Sequence, residues 1–372
     1  MCKQEKMCKF AKEKLKPITT DKIINRTNEM DIRNFIVAVL CLLATASCKR
    51  GSSSADDILF ADCCQPQAVL HDGKYYFIKQ DAHSAKIELW CADELKDLPK
   101  GKHKVVWMPK DSAALKNIWS PEIHFIQNRW YIYYEADDGN TDNHHLNVLE
   151  NTAADPMQGE FRHKSTLMTN PEWNWALHPS VFTVKGKLYL IWSGWPKRRA
   201  EEETQCIYIA SMENPWTISS ERVMISSPDL EWERQWINPD GSRSAYPIYV
   251  NENPEAFFSR DKKNIIVYYT ASGNWTLFNA TGMLYASVDS NLLDPKSWHK
   301  CSEPVFASNA ERGVYGACDI SIVPSKDGRD TYLLYESKRL KGDGYIKDIR
   351  MKRITWDDKG FPILGKAGEK EL

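Results

Sequence analysis

Five polar residues in this chain stand where an apolar strand begins, and their types suit acid/base chemistry. In four of the five, a proline lies within two positions. Carboxylates and an imidazole that converge on one pocket can donate and accept protons. Enzymes that cleave glycosidic bonds usually use a pair of carboxyl groups. The five candidate catalytic or metal-binding residues are Gln65, Glu122 (beside Ser120), His178, Glu252 and Asp319.

Tryptophans near these residues suggest a sugar ligand, because an aromatic face stacks well on the C–H groups of a sugar ring. Trp119, Trp195 and Trp275 each lie beside a polar strand start or a Ser-Gly turn, so we expect them to bind substrate. For any single tryptophan, packing between sheets is the alternative interpretation.

The five residues are positioned by a repeated hairpin. The stretch 119–139 contains a polar start, a short strand, a turn at Gln127 and Asn128, and an aromatic strand. Similar stretches begin at residues 65, 178, 252 and 319. Their spacing of roughly 55 to 75 residues leaves room for about four strands, which is one propeller blade. The pattern predicts an all-β, five-bladed β-propeller, with a β-sandwich as the alternative, and the inner strands of a propeller bring the five residues together at a central channel.

Composition and charge limit the possible functions. The chain has 372 residues, 42% of them hydrophobic, and a formal net charge of −1. Such a balance gives no basic surface for nucleic acid. Residues 58–372 show no linker and are predicted to form one domain, whose ring closes when Ile58-Leu59-Phe60 pairs with the strand at 350–356.

The first 47 residues are predicted to lie outside the fold. Residues 35–46 form an apolar run, too short to span a bilayer and typical of a signal peptide. It ends at Ala46-Ser47-Cys48, which resembles a bacterial lipoprotein cleavage box. We therefore expect Met30 to be the true start, Cys48 to be lipidated, residues 48–57 to be a linker, and the protein to be anchored in a bacterial cell envelope, at the periplasmic or outer surface. A short buried helix is the alternative.

Cysteine spacing argues against a structural metal site. Beyond the first 48 residues there are six cysteines, and no CxxC or Cys/His ligand pattern. An even number permits disulfides in an exported protein, but free buried thiols are favoured.

Several segments in order resemble glycoside hydrolase family 43, and more narrowly its α-L-arabinofuranosidase and exo-arabinanase-like branch. They include IELW (87–90), IWSPEIHF (118–125), YLIWSGW (189–195), NENPEAF (251–257), TASGNW (270–275) and GVYG (313–316). The resemblance implies a five-bladed propeller that hydrolyses arabinose- or xylose-containing plant polysaccharide with inversion. It implies that Glu252 is the general acid, and that Glu122 and Arg350 occupy positions that recur in the branch, where we expect Arg350 to bind substrate.

Three positions depart from the family pattern. Gln65 stands where the base Asp is expected, His178 where a second Asp is expected, and Asp319 where a His is expected. Loss of a general base costs a factor of roughly 10² to 10⁴. The first hypothesis is a hydrolase with a rearranged acid/base set, in which His178 acts as base with Asp319 as its orienting or metal-binding partner, or Glu122, Asp319 or Asp62 replaces the base. No cofactor is required, although Asp319 makes calcium on the propeller axis plausible.

The second hypothesis is a degenerate surface propeller that binds oligosaccharide without cleaving it, and a purely structural propeller is the third.

Overall fold

The computed structural model describes residues 57–81, 85–109, 116–172, 175–197, 203–237, 247–342 and 344–369. The predicted extension, signal peptide, lipidated Cys48 and almost all of the linker lie outside these residues. The described part consists of twenty-two strands and five short 3₁₀ helices. Those helices are Leu95–Lys100, Thr141–Asn143, Glu231–Glu233, Pro295–Ser297 and Ala310–Arg312.

The strands form five blades around a central channel. The first strand, β1 (Ile58–Ala61), belongs to the last blade. Blade I contains β2 (Gln67–His71), β3 (Lys74–Asp81), β4 (Lys86–Ala92) and β5 (Lys102–Trp107). Blade II contains β6 (Lys116–Ile126), β7 (Arg129–Asp137), β8 (His145–Asn151) and β9 (Arg162–Thr166).

Blade III contains β10 (Ala176–Val184), β11 (Lys187–Gly194), β12 (Glu203–Asn214), β13 (Thr217–Ile218) and β14 (Val223–Ser226). Blade IV contains β15 (Ile248–Phe258), β16 (Asn264–Ala271), β17 (Ala280–Ser287) and β18 (His299–Lys300), and a short parallel pairing of β12 with β15 joins these two blades. Blade V contains β19 (Tyr315–Pro324), β20 (Thr331–Lys341) and β21 (Gly344–Trp356), with β1 and β22 (Pro362–Ile363) paired to β21. The prediction of an all-β, five-bladed propeller is confirmed.

The hairpin turns follow from local sequence. Asp72 and Gly73 connect β2 to β3 with φ of 46° and 72°, and Gln127 and Asn128 connect β6 to β7 with φ of 51° and 61°. Two-residue turns with both central residues at positive φ match the twist of the strands that they join. These turns fix the register of the first two strands in each of these blades.

The core is divided among the interfaces between neighbouring blades. Strand β7 is buried along nearly its whole length, because both of its faces pack against other blades. Tyr133 packs with Leu190 of blade III, whereas Ile132 packs with Ile78 of blade I. Five such clusters alternate with the five blades. This arrangement explains why the second strands read as continuous aromatic and β-branched runs.

Blade V is closed by the N-terminal strand. Ile58 pairs with Arg350 and Phe60 with Ile349, so β1 is the partner that the sequence predicts. The fully buried Arg350 forms an ion pair with Asp57, and its Nε donates a 2.8 Å hydrogen bond to Ser337. Arg350 therefore ties the ring closed inside blade V, and the substrate-binding role expected for it stays a prediction.

Within the described residues no helix is long and apolar enough to cross a membrane. All six cysteines there are free thiols, as the sequence analysis favours.

Candidate active site

One polar residue per blade, here called the head residue, occupies the same backbone conformation at the start of the inner strand. The head residues are Gln65, Ser120, His178, Asn253 and Asp319, with φ of 54°, 42°, 53°, 51° and 44°. Positive φ is uncommon for residues other than glycine, costs free energy and is concentrated at functional sites. In blades I to IV the next residue is proline. The structure thus puts Ser120 and Asn253, rather than Glu122 and Glu252, at the positions equivalent to Gln65, His178 and Asp319.

A second set of polar side chains, here called the support residues, lies on the neighbouring strand of each blade. Four of them bind the first strand of the next blade. Glu135 accepts a 3.3 Å hydrogen bond from the His178 N–H, and Glu336 accepts one of 3.2 Å from the Gln65 N–H. Ser193 donates to the carbonyl of Asn251 at 3.0 Å, and Thr270 binds both the backbone and the carboxylate of Asp319. The support residues are Gln80, Glu135, Ser193, Thr270 and Glu336.

The support residues explain how the strained head conformation persists. Each of these hydrogen bonds satisfies a buried backbone group, and leaving such a group without a partner would cost free energy. Sequence reasoning missed Glu135 and Glu336. Their signal is an acidic residue directly after the aromatic run of the second strand, as in YYE and LLYE.

The Gln65 amide is fully occupied by its neighbours. Its Oε1 accepts a hydrogen bond of 2.6 Å from Gln80, and its Nε2 donates to Ser120 Oγ at 2.5 Å and to His178 Nε2 at 3.1 Å. Because His178 Nε2 accepts, the ring proton lies on Nδ1 and the imidazole is neutral. Burial lowers the pKa of His178 to about 3. His178 therefore has no free lone pair with which to take a proton from water.

Glu252 has the properties of a proton donor. Its side chain is buried, and its Oε1 has no hydrogen-bond partner in the part of the chain that the structure describes. Burial, and next the charge of Asp319, raise the pKa of Glu252 to about 8, and Lys347 opposes this shift. The carboxyl is therefore protonated at neutral pH, as a general acid must be.

Lys347 supplies a cation close to Glu252. Its Nζ lies 2.8 Å from Glu336 Oε1 and donates a 2.8 Å hydrogen bond to Asn274 of blade IV. Burial disfavours its charge, but Glu336 outweighs burial and raises the pKa of Lys347 above its usual range. Lys347 lies three residues before Arg350 in β21, and it is the basic residue of this strand that faces the site.

Glu122 belongs to a second cluster of polar side chains, which it forms with His124, Ser180 and Glu255. Its Oε2 lies 3.0 Å from His124 Nε2, and it also bonds Ser180 and Glu255. Burial raises the pKa of Glu122 to about 8. Glu122, Ser180 and Glu255 each lie two residues after the head residue of their blade, so this group lies further along the inner strands.

Residues 59–362 match the family model described as Glycosyl hydrolases family 43. The chain belongs to glycosyl hydrolase family 43.

Two relatives and one solved structure specify the branch of family 43 that this chain resembles. An "Alpha-L-arabinofuranosidase 43" from Humicola insolens is 30% identical over 88% of this chain and 67% of the relative. An "Extracellular exo-alpha-(1->5)-L-arabinofuranosidase" from Streptomyces avermitilis is 32% identical over 79% of this chain and 59% of the relative. A crystal structure of an alpha-L-arabinofuranosidase from Lactobacillus brevis superposes with a TM-score of 0.73 at 28% identity, covering 84% of this chain and 98% of that one. The chain therefore spans only about three fifths of the Streptomyces relative.

The three tryptophans expected to bind sugar in this family 43 protein differ in their surroundings. Trp195 is 3% exposed and stacks on Trp175 at 4.5 Å, so it packs within the rim of blade III. Trp119 is partly exposed and stacks on His144 at 4.3 Å. Trp275 is partly exposed and lies over Gly273, where an added Cβ would come within 2.4 Å of the ring. Trp119 and Trp275 therefore keep surface that a sugar can contact, and Trp195 does not.

The side chains around Asp319 are a poor set of ligands for the calcium ion that the sequence suggests. The ligand atoms of Cys318, Asp319 and Glu336 lie within 4.8 Å of one another. Calcium takes six to eight oxygen ligands. Burial raises the pKa of Cys318, which keeps it a neutral thiol, and Glu336 is already paired with Lys347. These residues do not fit calcium, and the ion stays a prediction of the sequence alone.

Proposed function

We propose that the chain hydrolyses O-glycosidic bonds in arabinose-containing polysaccharide or oligosaccharide, as an α-L-arabinofuranosidase. The arabinofuranosidase relatives support the sugar, and one observation carries the chemistry. That observation is the buried carboxyl of Glu252, which has an unpartnered oxygen and a pKa of about 8. A protonated carboxyl without an internal partner can give its proton to the oxygen of a leaving group.

Inverting hydrolysis requires two carboxyl groups on opposite faces of the sugar. One protonates the leaving oxygen, and the other takes a proton from the attacking water, at a separation of roughly 6.5 to 9.5 Å. Glu252 takes the first role. Gln65 cannot take the second, because its amide is neutral and all its polar atoms are engaged. Trp119 and Trp275 provide aromatic surface for the sugar rings.

The test pairs a turnover assay on arabino-oligosaccharides with isothermal titration against the same compounds. The proposal predicts release of arabinose, and loss of that release in Glu252→Gln with binding retained. The alternative function is a propeller that binds the sugar without cleaving it. Its specific support is Gln65, a residue that cannot act as base, at the position where the family has its base Asp. Binding by the wild type with no detectable arabinose would favour that alternative.

We further propose that the protein acts outside the cytoplasm, because two relatives are named extracellular. Lipid anchoring at Cys48 is the finer part of this proposal. Replacing Cys48 by Ala should move the protein from the membrane fraction to the soluble fraction. An unchanged distribution would contradict the anchor and leave the enzymatic proposal intact.

A further inference from the structure

We infer that Asp319, the head residue of blade V, is the general base that takes the place of Gln65. The inference rests on the proposed hydrolytic function and assigns the one role in that reaction that still lacks a residue.

Gln65, which occupies the position of the base, and His178, which was expected to replace it, are both excluded by their chemistry and hydrogen bonds. Gln65 has no ionisable group, and its Oε1 and Nε2 bind Gln80, Ser120 and His178. The Nε2 lone pair of His178 accepts from Gln65, and its Nδ1 carries the ring proton. Neither side chain can accept a proton from water without breaking this network.

The other buried carboxyls near the mouth are also engaged. Glu135 is fully buried, binds the His178 N–H, and has a pKa that burial raises to about 8, so it is protonated at neutral pH. Glu336 is fully buried, with one oxygen on the Gln65 N–H and the other on Lys347. Glu122 lies in the separate group with His124, and Asp62 is exposed.

Asp319 differs from these residues because only one of its two carboxylate oxygens accepts a hydrogen bond from a described residue. Its Oδ1 accepts a hydrogen bond from the Thr270 hydroxyl, and its N–H donates to the same hydroxyl at 3.0 Å. Among the described residues, none donates a hydrogen bond to Oδ2. Thr270 thus fixes the carboxylate with one oxygen held and the other available for a water molecule.

The position of Asp319 also suits the role. Its blade lies between that of Glu252 and that of Gln65, and Asp319 is the charged residue with the largest effect on Glu252. Its charge also acts on the ammonium groups of Lys338 and Lys347.

The step balances with the groups present. A water oxygen bonds to the anomeric carbon as the bond from that carbon to the leaving oxygen breaks. The water proton passes to Asp319 Oδ2, and the Glu252 proton passes to the leaving oxygen. Exchange of one proton with solvent then returns Asp319 to its anionic form and Glu252 to its neutral form.

The experiment uses Asp319→Asn and Asp319→Ala on an aryl α-L-arabinofuranoside, with and without azide. Asn keeps an oxygen for the Thr270 hydroxyl, so that variant should fold. We expect kcat to fall by about 10² to 10⁴ in both variants with KM changed by less than about threefold, since the lost interaction acts in the transition state. Azide is a nucleophile that needs no base, so it should restore turnover in Asp319→Ala and give the β-arabinofuranosyl azide. The control is Asp289→Asn, which removes an exposed carboxylate at the surface.

Three results would overturn the inference. One is wild-type kcat in Asp319→Asn, and another is a folded Asp319→Ala whose activity azide does not restore. The third is an azide product of retained configuration. An inactive wild type would refute the proposed function itself, whereas an active wild type with an active Asp319→Asn would refute only the base.

Discussion

Replacing Glu252 by Gln should change how the stability of the protein depends on pH. Burial raises the pKa of this carboxyl from 4.5 to about 8, so the folded state holds a proton there that the unfolded state releases. The stability from this proton is fully present below about pH 4.5 and is lost as the pH rises through about 8. The free energy of unfolding therefore falls by up to about 1.4 kcal/mol per pH unit across this window, about 5 kcal/mol in all.

The glutamine variant lacks this titration, so its unfolding free energy relative to the wild type should rise with pH by up to about 5 kcal/mol. Glu122 and Glu135 have similarly raised pKa values, but they are present in both proteins and cancel in the comparison. The assay is urea unfolding of both proteins at several pH values between about 5 and 9. Glu303→Gln, at an exposed position, is the matched control. A difference between wild type and Glu252→Gln that stays constant over this range would refute the protonated acid.

Three other predictions follow from the placement of single residues. Arg350→Met should lower the unfolding free energy by about 3 to 5 kcal/mol, because it removes the cation that is paired with the Asp57 carboxylate, and it should leave KM unchanged. A raised KM with full stability would indicate that Arg350 contacts the substrate. Gln65→Asp should lower kcat, because it breaks the hydrogen bonds of the Gln65 amide and because Asp319 is the base. An increase in kcat would show that a carboxylate at position 65 of blade I can act as the base. Calcium should leave the melting temperature of the wild type unchanged. A calcium-dependent rise that Asp319→Ala abolishes would support the predicted metal site at Asp319.

The blades could be predicted from sequence because their signals are local. The second strands pack on both faces, so they form uninterrupted runs such as the one in β7, and turns such as Asp72-Gly73 mark the hairpins. A polar residue before proline marks the start of the inner strand in four blades. These features repeat at blade spacing, which sets the architecture.

The exact side chains at the mouth could not be predicted, because a bulge interrupts the alternation of the inner strand in blades II to V. Register shifts occur between Trp119 and Glu122 and between Glu252 and Glu255. An extra residue moves later side chains to the opposite face. The same parity separates Lys347 from Arg350, since residues three apart in a strand point to opposite faces. The contact between Gln65 and Glu336 joins the first blade to the last, and no local pattern indicates it.

The most direct test of the central claim is the configuration of the first product, followed by proton NMR during hydrolysis of an aryl α-L-arabinofuranoside. The account predicts that the wild type releases β-L-arabinofuranose first, at a kcat within the ordinary range of about 1 to 10³ s⁻¹, and that Glu252→Gln releases almost none. Initial release of the α-anomer, or wild-type rates in Glu252→Gln, would contradict it.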